Sequence, residues 1–227
     1  FPDVPIVRMD ADTTKGKGAH ERLLARFSDT KPGILLGTQM IAKGLDFPDV
    51  TLVGVINADT TLGLPDFRAG ERSWQLLEQV AGRSGRADKP GRVVIQTYWP
   101  DHPSIRAVAA HDAALFRDSE IEERRELGYP PYGRLANILI RGEREDAVIS
   151  VAHAAADALR EVLPSDHTVL GPSAAVLARL QRVHRWHVLV KAPRDADLPG
   201  VVAGALAGLQ RTEGVAVVVD IDPVNLF

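Results

Sequence analysis

Short apolar runs alternate with amphipathic stretches over the first half of the chain. The apolar runs predict strands at residues 5–9, 33–37, 50–56 and 91–97. Apolar residues at helical spacing predict helices at residues 18–27, 68–86 and 102–127. Nearly continuous apolar strands that alternate with helices are typical of a parallel sheet covered by helices on both faces. The pattern therefore predicts an α/β domain over residues 1–127, including a trailing helix.

The second half of the chain has a different order of elements. Residues 128–133 (Gly-Tyr-Pro-Pro-Tyr-Gly) interrupt the helical pattern, and their prolines favour a stiff connection between two domains. Strands are then predicted at residues 134–141, 168–180 (one or two short strands), 187–191 and 215–221, with helices at residues 146–163 and 199–211. The order β-α-β-β-α-β predicts a small α+β domain of the ferredoxin-like, or split βαβ, type over residues 134–227.

Composition narrows the class of protein. The 227 residues are 45% hydrophobic and 25% charged, which suits two modest globular domains. There is no cysteine, so disulfides and cysteine-based zinc sites are excluded within these residues, and no apolar run approaches the roughly 20 residues that span a bilayer. The first residue is Phe1, and we expect the chain to be a piece of a longer protein. The net charge of −3 means that any nucleic-acid binding requires local basic patches.

A first polar cluster directly follows the second predicted strand, in the sequence Gly-Thr-Gln-Met-Ile-Ala-Lys-Gly-Leu-Asp. Because open parallel sheets bind ligands beyond the carboxyl ends of their strands, we expect Thr38 and Gln39 to hydrogen-bond a phosphodiester backbone. Gly44 would let the main chain approach a ligand closely, and Asp46 presents a carboxylate for a ribose hydroxyl or a water. The alternative is an ordinary loop between a strand and a helix.

A second cluster lies at the end of the helix predicted at residues 68–86. Gln79, Arg83 and Arg86 are spaced i, i+4 and i+7, which places them on one helix face. Two guanidinium groups on one face suit phosphate oxygens and can stabilise the charge that develops on a γ-phosphoryl group during transfer. The two glycines beside these charges indicate close packing or a close approach, because glycine is a poor helix former. The alternative is a solvated basic helix end.

A third feature, which we call the basic island, consists of Arg179, Arg182 and Arg185 with Trp186. It lies in a stretch, residues 167–194, that contains no Asp or Glu. Arginines beside an aromatic ring suit phosphate or carboxylate groups. The alternative is a solvated surface of strand and loop.

The remaining aromatic and histidine residues predict no site of their own. His184 and His187 are three residues apart in a predicted strand and therefore point to opposite faces, so we predict no metal site there. Trp74, Trp99 and Trp186 are interpreted as core or interface residues rather than as platforms on which bases stack.

The first two clusters, in this order, resemble motifs V and VI of superfamily 2 helicases. Further segments narrow the resemblance to the primosomal protein N′ family: residues 43–53, 66–72, 79–86, 170–172 and 219–223. The resemblance covers nearly the whole chain. It implies a RecA-like second helicase lobe followed by the C-terminal domain of this family.

The resemblance also implies an expected function. It implies an ATP-dependent 3′-to-5′ DNA helicase that binds stalled or branched replication forks and promotes primosome assembly in replication restart. With ATP and Mg²⁺ as cofactors, the ATP-facing residues would be Gly44, Asp46, Gln79, Arg83 and Arg86. The DNA-binding residues would be Thr38, Gln39 and Lys43. A cytoplasmic protein associated with the bacterial nucleoid is expected.

Two departures from the family pattern limit what the chain does alone. It has no GxxxxGK[ST] phosphate loop and no acidic Mg²⁺-binding motif, so we expect this chain alone to be inactive as an ATPase. The zinc that the family implies has no cysteine ligands here.

The resemblance also implies partners: branched and single-stranded DNA, other primosome proteins, and single-stranded-DNA-binding protein, whose acidic tail would dock on the basic island. No membrane contact is expected. Two alternatives stay open from the sequence, namely an ATPase-inactive DNA-binding scaffold of the same family that recruits restart proteins, and another superfamily 2 translocase.

Overall fold

A computed structural model describes residues 2–42, 49–82, 91–210 and 212–226. The chain folds into two units. The first comprises Phe1–Leu62 and Gly70–Phe116, and the second comprises Gly63–Ala69 and Arg117–Phe227. The division lies before the predicted connection at residues 128–133, which belongs to the second unit.

Two pairs of parallel strands form the sheet structure of the first unit. Strand β1 (Ile6–Met9) pairs with β2 (Ile34–Gly37), and β3 (Leu52–Val55) pairs with β4 (Arg92–Ile95). The helices are α1 (Ala19–Ser28), α2 (Asp59–Leu62), α3 (Ala69–Ala81) and α4 (Pro103–Ala110), with a 3₁₀ helix at Gln39–Ala42. Parallel pairing with helical connections confirms the predicted α/β class. Within the described residues, the two pairs are separate hydrogen-bonded sheets.

The core of the first unit forms between β3, β4 and the helices that follow them. Its buried residues are Ala58, Leu77, Ile105 and Val108. Trp74 packs against this cluster, and its ring stacks on Phe116 with 5.4 Å between ring centroids. The prediction of Trp74 as a core residue is therefore confirmed.

The single helix predicted at residues 102–127 is wrong, because two helices occupy this range. Helix α4 ends at Ala110, and α5 spans Ala113–Leu127. Between them His111 adopts a left-handed conformation with φ of 52°, which ends the first helix. The side chain of Asp112 then accepts a hydrogen bond from the amide of Ala114 at 2.9 Å and starts the second.

The second unit contains a four-stranded antiparallel sheet with strand order β6-β7-β5-β8. The strands are β5 (Gly133–Gly142), β6 (Thr168–Leu180), β7 (Val183–Pro193) and β8 (Val215–Ile221). Helices α6 (Glu145–Val162) and α7 (Leu198–Leu206) complete the predicted order β-α-β-β-α-β. This arrangement confirms the ferredoxin-like fold. Strand β6 is one strand with two register shifts rather than two strands.

One face of this sheet packs against both helices. Ala136, Ile138 and Ile140 of β5 are fully buried among residues of α6 and α7. Because side chains alternate along a strand, the odd-numbered residues of β5 lie on the opposite face, which neither α6 nor α7 covers.

Residues 63–69 pack within the second unit, although in sequence they follow α2 and end on the first residue of α3. The guanidinium of Arg68 donates hydrogen bonds to the backbone oxygens of Pro223 and Val224, at 2.6 and 3.0 Å. The buried carboxylate of Asp66 accepts hydrogen bonds from the amides of Arg68 and Leu226. The segment is thus fixed to the C-terminal residues of the chain.

None of the helices in the described part of the chain has the length and apolar character needed to cross a membrane.

Candidate nucleic-acid and nucleotide site

Thr38 and Gln39 lie directly beyond the carboxyl end of β2, and both side chains are exposed. The backbone is compact at this point. A Cβ atom on Gly37 would lie 2.5 Å from the carbonyl oxygen of Met9 and 2.8 Å from the side chain of Ile41. Glycine is therefore required where the 3₁₀ helix turns back against β1, and this turn presents Thr38 and Gln39 to solvent.

A tight polar turn follows β1, beside the end of β2, because Met9 is in register with Gly37. The carboxylate of Asp10 accepts hydrogen bonds from the amides of Asp12 and Thr13 at 3.1 and 3.0 Å. The backbone hydrogen bond from Thr13 is the main cause of the lowered pKa of Asp10. In the sequence, the polar run Asp-Ala-Asp-Thr-Thr directly follows a strand. This run indicates a turn at the carboxyl end of that strand, which is the edge where Thr38 lies.

Gln79 is exposed near the end of α3, two residues before the helix ends at Ala81. The buried Leu77 on the same helix faces the core, so Gln79 points away from it. The other residues predicted for ATP and DNA lie outside the described residues: Lys43, Gly44, Asp46, Arg83 and Arg86. Their roles stay predictions, as does the common helix face of Gln79 with the two arginines.

The basic island lies on the hairpin of β6 and β7, and the fold separates its members. Arg179 is opposite His184 in the strand register, which places it on the face of Trp186. The ring of Trp186 lies 6.4 Å from that of His153 on α6, so this is the helix-covered face. Arg185 lies on the opposite face. Arg182 is at the tip, in a two-residue turn where Gln181 and Arg182 have φ of 50° and 74°.

A second arginine, which sequence reasoning missed, lies directly opposite Arg185. It is Arg141 on β5. Like charges at opposite positions of neighbouring strands repel each other, so a bound anion would reduce the repulsion between these two guanidinium groups. Within the part of the chain that the structure describes, neither guanidinium has an ion-pair partner. The strand register, which sequence alone does not provide, is what identifies the pair.

His187 is buried next to this arginine pair, on the same face as Arg185. Its Nδ1 has no hydrogen-bond partner within the described residues. Burial lowers the pKa of His187, and the positive charge of Arg185 lowers it further. The side chain is therefore neutral at neutral pH. His184 contacts Glu145 at 3.5 Å, and among the described residues no group of three metal-ligating side chains occurs.

Comparisons with known proteins give the same order of domains. A family model described as the helicase conserved C-terminal domain matches residues 3–88, and one described as the primosomal protein N C-terminal domain matches residues 125–224. The replication restart protein PriA of Bacillus subtilis strain 168 is 45% identical over 230 residues, covering 100% of this chain and 29% of that protein.

Two further relatives with the same name come from distant bacteria. The protein from Chlamydia pneumoniae is 37% identical over 227 residues, covering 100% of this chain and 30% of the relative. The protein from Haemophilus influenzae is 37% identical over 227 residues, covering 100% and 31%. The chain thus spans about 30% of the length of these relatives.

The α/β unit and the ferredoxin-like unit, with these two matches, define a helicase C-terminal lobe followed by a primosomal C-terminal domain. The chain belongs to the replication restart protein PriA family and matches the C-terminal part of its relatives. The family resemblance inferred from the sequence is confirmed, and a translocase of a different superfamily 2 family is set aside.

Proposed function

We propose that this chain is the C-terminal part of an ATP-dependent 3′-to-5′ DNA helicase that binds stalled or branched replication forks and promotes primosome assembly. The observation that carries this proposal is the pair of family matches over residues 3–88 and 125–224, in the order found in replication restart proteins. The proposed setting is the bacterial cytoplasm, at the nucleoid.

In this proposal, DNA contacts the carboxyl ends of β1 and β2. The exposed hydroxyl of Thr38 and amide of Gln39 suit hydrogen bonds to phosphate oxygens, which hold a strand without reading its sequence. Lys43 would add a positive charge to the same contact.

ATP would be bound by Gly44, Asp46, Gln79, Arg83 and Arg86, together with a phosphate loop and Mg²⁺ held by another part of a longer protein. Bound ATP supplies the free energy for translocation. The proposed ATP contact of Gln79 is supported by the exposure of its side chain near the end of α3, shortly before the two arginines in sequence. Arginines at this point would stabilise charge on the transferred phosphoryl group.

The basic island is the proposed docking site for an anionic partner. Arg182 and Arg185 form no ion pair within the described structure, and Arg141 adds a positive charge directly opposite Arg185. Carboxylates and phosphates both pair with guanidinium groups. The acidic tail of single-stranded-DNA-binding protein is therefore the proposed occupant, with DNA phosphates as the competing one.

The DNA contact is tested by fluorescence anisotropy with a labelled single strand. Substitution Gln39→Ala should weaken binding by about threefold to tenfold, which corresponds to the net contribution of one solvent-exposed hydrogen bond. Gln75→Ala is the matched control, because Gln75 is an exposed glutamine on α3 that bonds to Glu71. Binding should also fall steeply with salt. A chain that binds no single strand at low salt would contradict the proposal.

A further inference from the structure

A second polar edge lies at the carboxyl ends of β3 and β4. Residues from both connecting segments line a pocket of about 310 Å³: Ile56, Asn57 and Asp59 after β3, and Gln96, Thr97 and Tyr98 after β4. Carboxyl ends of neighbouring parallel strands meet at one edge, where open α/β sheets bind their ligands. Neither the sequence motifs nor the proposed contacts of Thr38 and Gln39 include this pocket.

Asp59 holds the two segments together. Its carboxylate accepts hydrogen bonds from the Thr97 hydroxyl at 2.5 Å and from the Tyr98 amide at 2.9 Å. Asn57 accepts a hydrogen bond from the amide of Asp59 through its Oδ1 atom at 3.0 Å. The backbones are also joined, since the amide of Ala58 donates to the carbonyl of Gln96 at 3.1 Å. The pocket is therefore rigid before any ligand arrives.

The rim of the pocket is apolar and unusually exposed. Tyr98 is 88% exposed and Ile56 is 71% exposed, while the adjacent Trp99 is 47% exposed. Trp99 thus does not belong to the core of this unit. Covering a large exposed apolar side chain removes its surface from water, which is favourable. A group of such side chains at a fixed place on the surface therefore indicates a binding site. An aromatic ring in this setting suits a flat π surface.

The chemistry of the lining selects a base rather than a phosphate. Among the described residues that line it there is no Lys or Arg, and the carboxylate of Asp59 disfavours a second anion. The side chains of Asn57 and Gln96 are both exposed, and amides form hydrogen bonds with the polar edges of bases. Stacking on an aromatic side chain is the usual way in which proteins hold unpaired bases without strong sequence preference.

We propose that Tyr98, flanked by Ile56, Asn57 and Gln96, stacks on an unpaired base of single-stranded DNA. Asp59 acts as a positioning residue that fixes the ring and the amides. This base contact rests on the proposed function, because it takes the ligand to be single-stranded DNA. It is additional to the backbone contacts assigned to Thr38 and Gln39.

The test compares two fluorescein-labelled strands of about 15 nucleotides, one of thymidines and one with abasic sugars and the same phosphates. Tyr98→Ala should bind the thymidine strand about tenfold more weakly than the wild type, in the range found when one stacking ring is removed. Tyr98→Phe keeps the ring and should stay within about twofold. Binding of the abasic strand should be the same for all three proteins.

The outcomes separate this inference from the proposed function. If Tyr98→Ala binds the thymidine strand like the wild type, or weakens both strands equally, the base contact is wrong. If Gln39→Ala still weakens binding in that case, DNA binding by this chain stands without the base contact. If the wild type binds neither strand, both proposals are overturned. Because Tyr98 is so exposed, its substitution should leave the circular dichroism spectrum unchanged.

Discussion

The ring of Phe67 stacks on the ring of Tyr129, with centroids 5.0 Å apart and 5° between the ring planes. The guanidinium carbon of Arg124 lies 5.2 Å from the Phe67 centroid, and the ammonium of Lys191 lies 4.9 Å from the Tyr129 centroid. Cations thus lie over both rings within the second unit, including Arg68 at 4.3 Å from the Phe67 centroid. It attaches residues 63–69, which precede α3, to the segment that connects α5 with β5.

We predict that Phe67→Ala destabilises the second unit by about 2 kcal/mol, through the loss of a partly buried ring and of its aromatic partner. Chemical denaturation followed by amide hydrogen exchange in β5 and β7 measures this change. Tyr98→Ala is the control, since it removes an aromatic ring that is 88% exposed. Equal stability of the Phe67→Ala protein and the wild type would show that the stack contributes nothing.

Acid should destabilise the second unit through His187. Burial and Arg185 lower its pKa from the ordinary value of 6.5, so the unfolded chain binds a proton at a higher pH than the folded chain does. The stabilisation is complete above pH 6.5 and is lost as the pH falls from there toward the folded pKa. Chemical denaturation between about pH 5 and 8 should show this slope.

Two variants separate the contributions to the acid sensitivity. His187→Gln removes the titrating group and should flatten the slope below pH 6.5. Arg185→Gln keeps the histidine but removes the positive neighbour, so it should reduce the slope. A slope that is unchanged in the His187→Gln protein would rule out this residue as its source.

Charge reversal tests the basic island. Arg182→Glu combined with Arg185→Glu should nearly abolish binding of whichever ligand uses this surface, either an acidic peptide that ends in a hydrophobic residue or a short single strand. Strong salt dependence would identify DNA as the ligand. Arg117→Glu combined with Arg144→Glu carries the same change in charge elsewhere in the unit and is the control. Unchanged affinity for both ligands would mean that the island is an ordinary solvated surface.

The isolated chain should not hydrolyse ATP. Its sequence contains no GxxxxGK[ST] loop, so it lacks the backbone amides and the lysine that position a nucleotide's phosphates. Purified chain incubated with ATP, Mg²⁺ and single-stranded DNA should release phosphate only at the background rate. Release at the rate of an intact helicase would show that a different nucleotide site exists.

Hydrophobic periodicity predicted much of the fold because most elements have one buried stripe or face. It correctly located strands such as β5, whose residues Ala136, Ile138 and Ile140 are fully buried, and helices such as α6. It missed the break at His111, because a left-handed histidine leaves no signal in a pattern of apolar residues. It also merged residues 63–69 with the first unit, since no local feature reveals the packing of Phe67 on Tyr129.

The sequence predicted the part of the candidate site that a single continuous segment forms at the end of a strand, as at Thr38 and Gln39. It did not predict the parts where the site joins separate segments. Arg141 and Arg185 are opposite each other only because of the register of their strands. The hydrogen bonds from Thr97 and Tyr98 to the carboxylate of Asp59 join residues that are 38 or more positions apart. Such contacts require the pairing of strands to be known.

DNA-stimulated ATP hydrolysis by the longer protein that carries this chain tests the helicase assignment most directly. We predict that Arg86→Ala lowers kcat on the order of 10³-fold and that Arg83→Ala also lowers it sharply, because arginines of this kind stabilise the transferred phosphoryl group. Affinity for DNA without nucleotide should change little, in contrast to Gln39→Ala. An Arg86→Ala protein with full DNA-stimulated turnover would contradict the assignment.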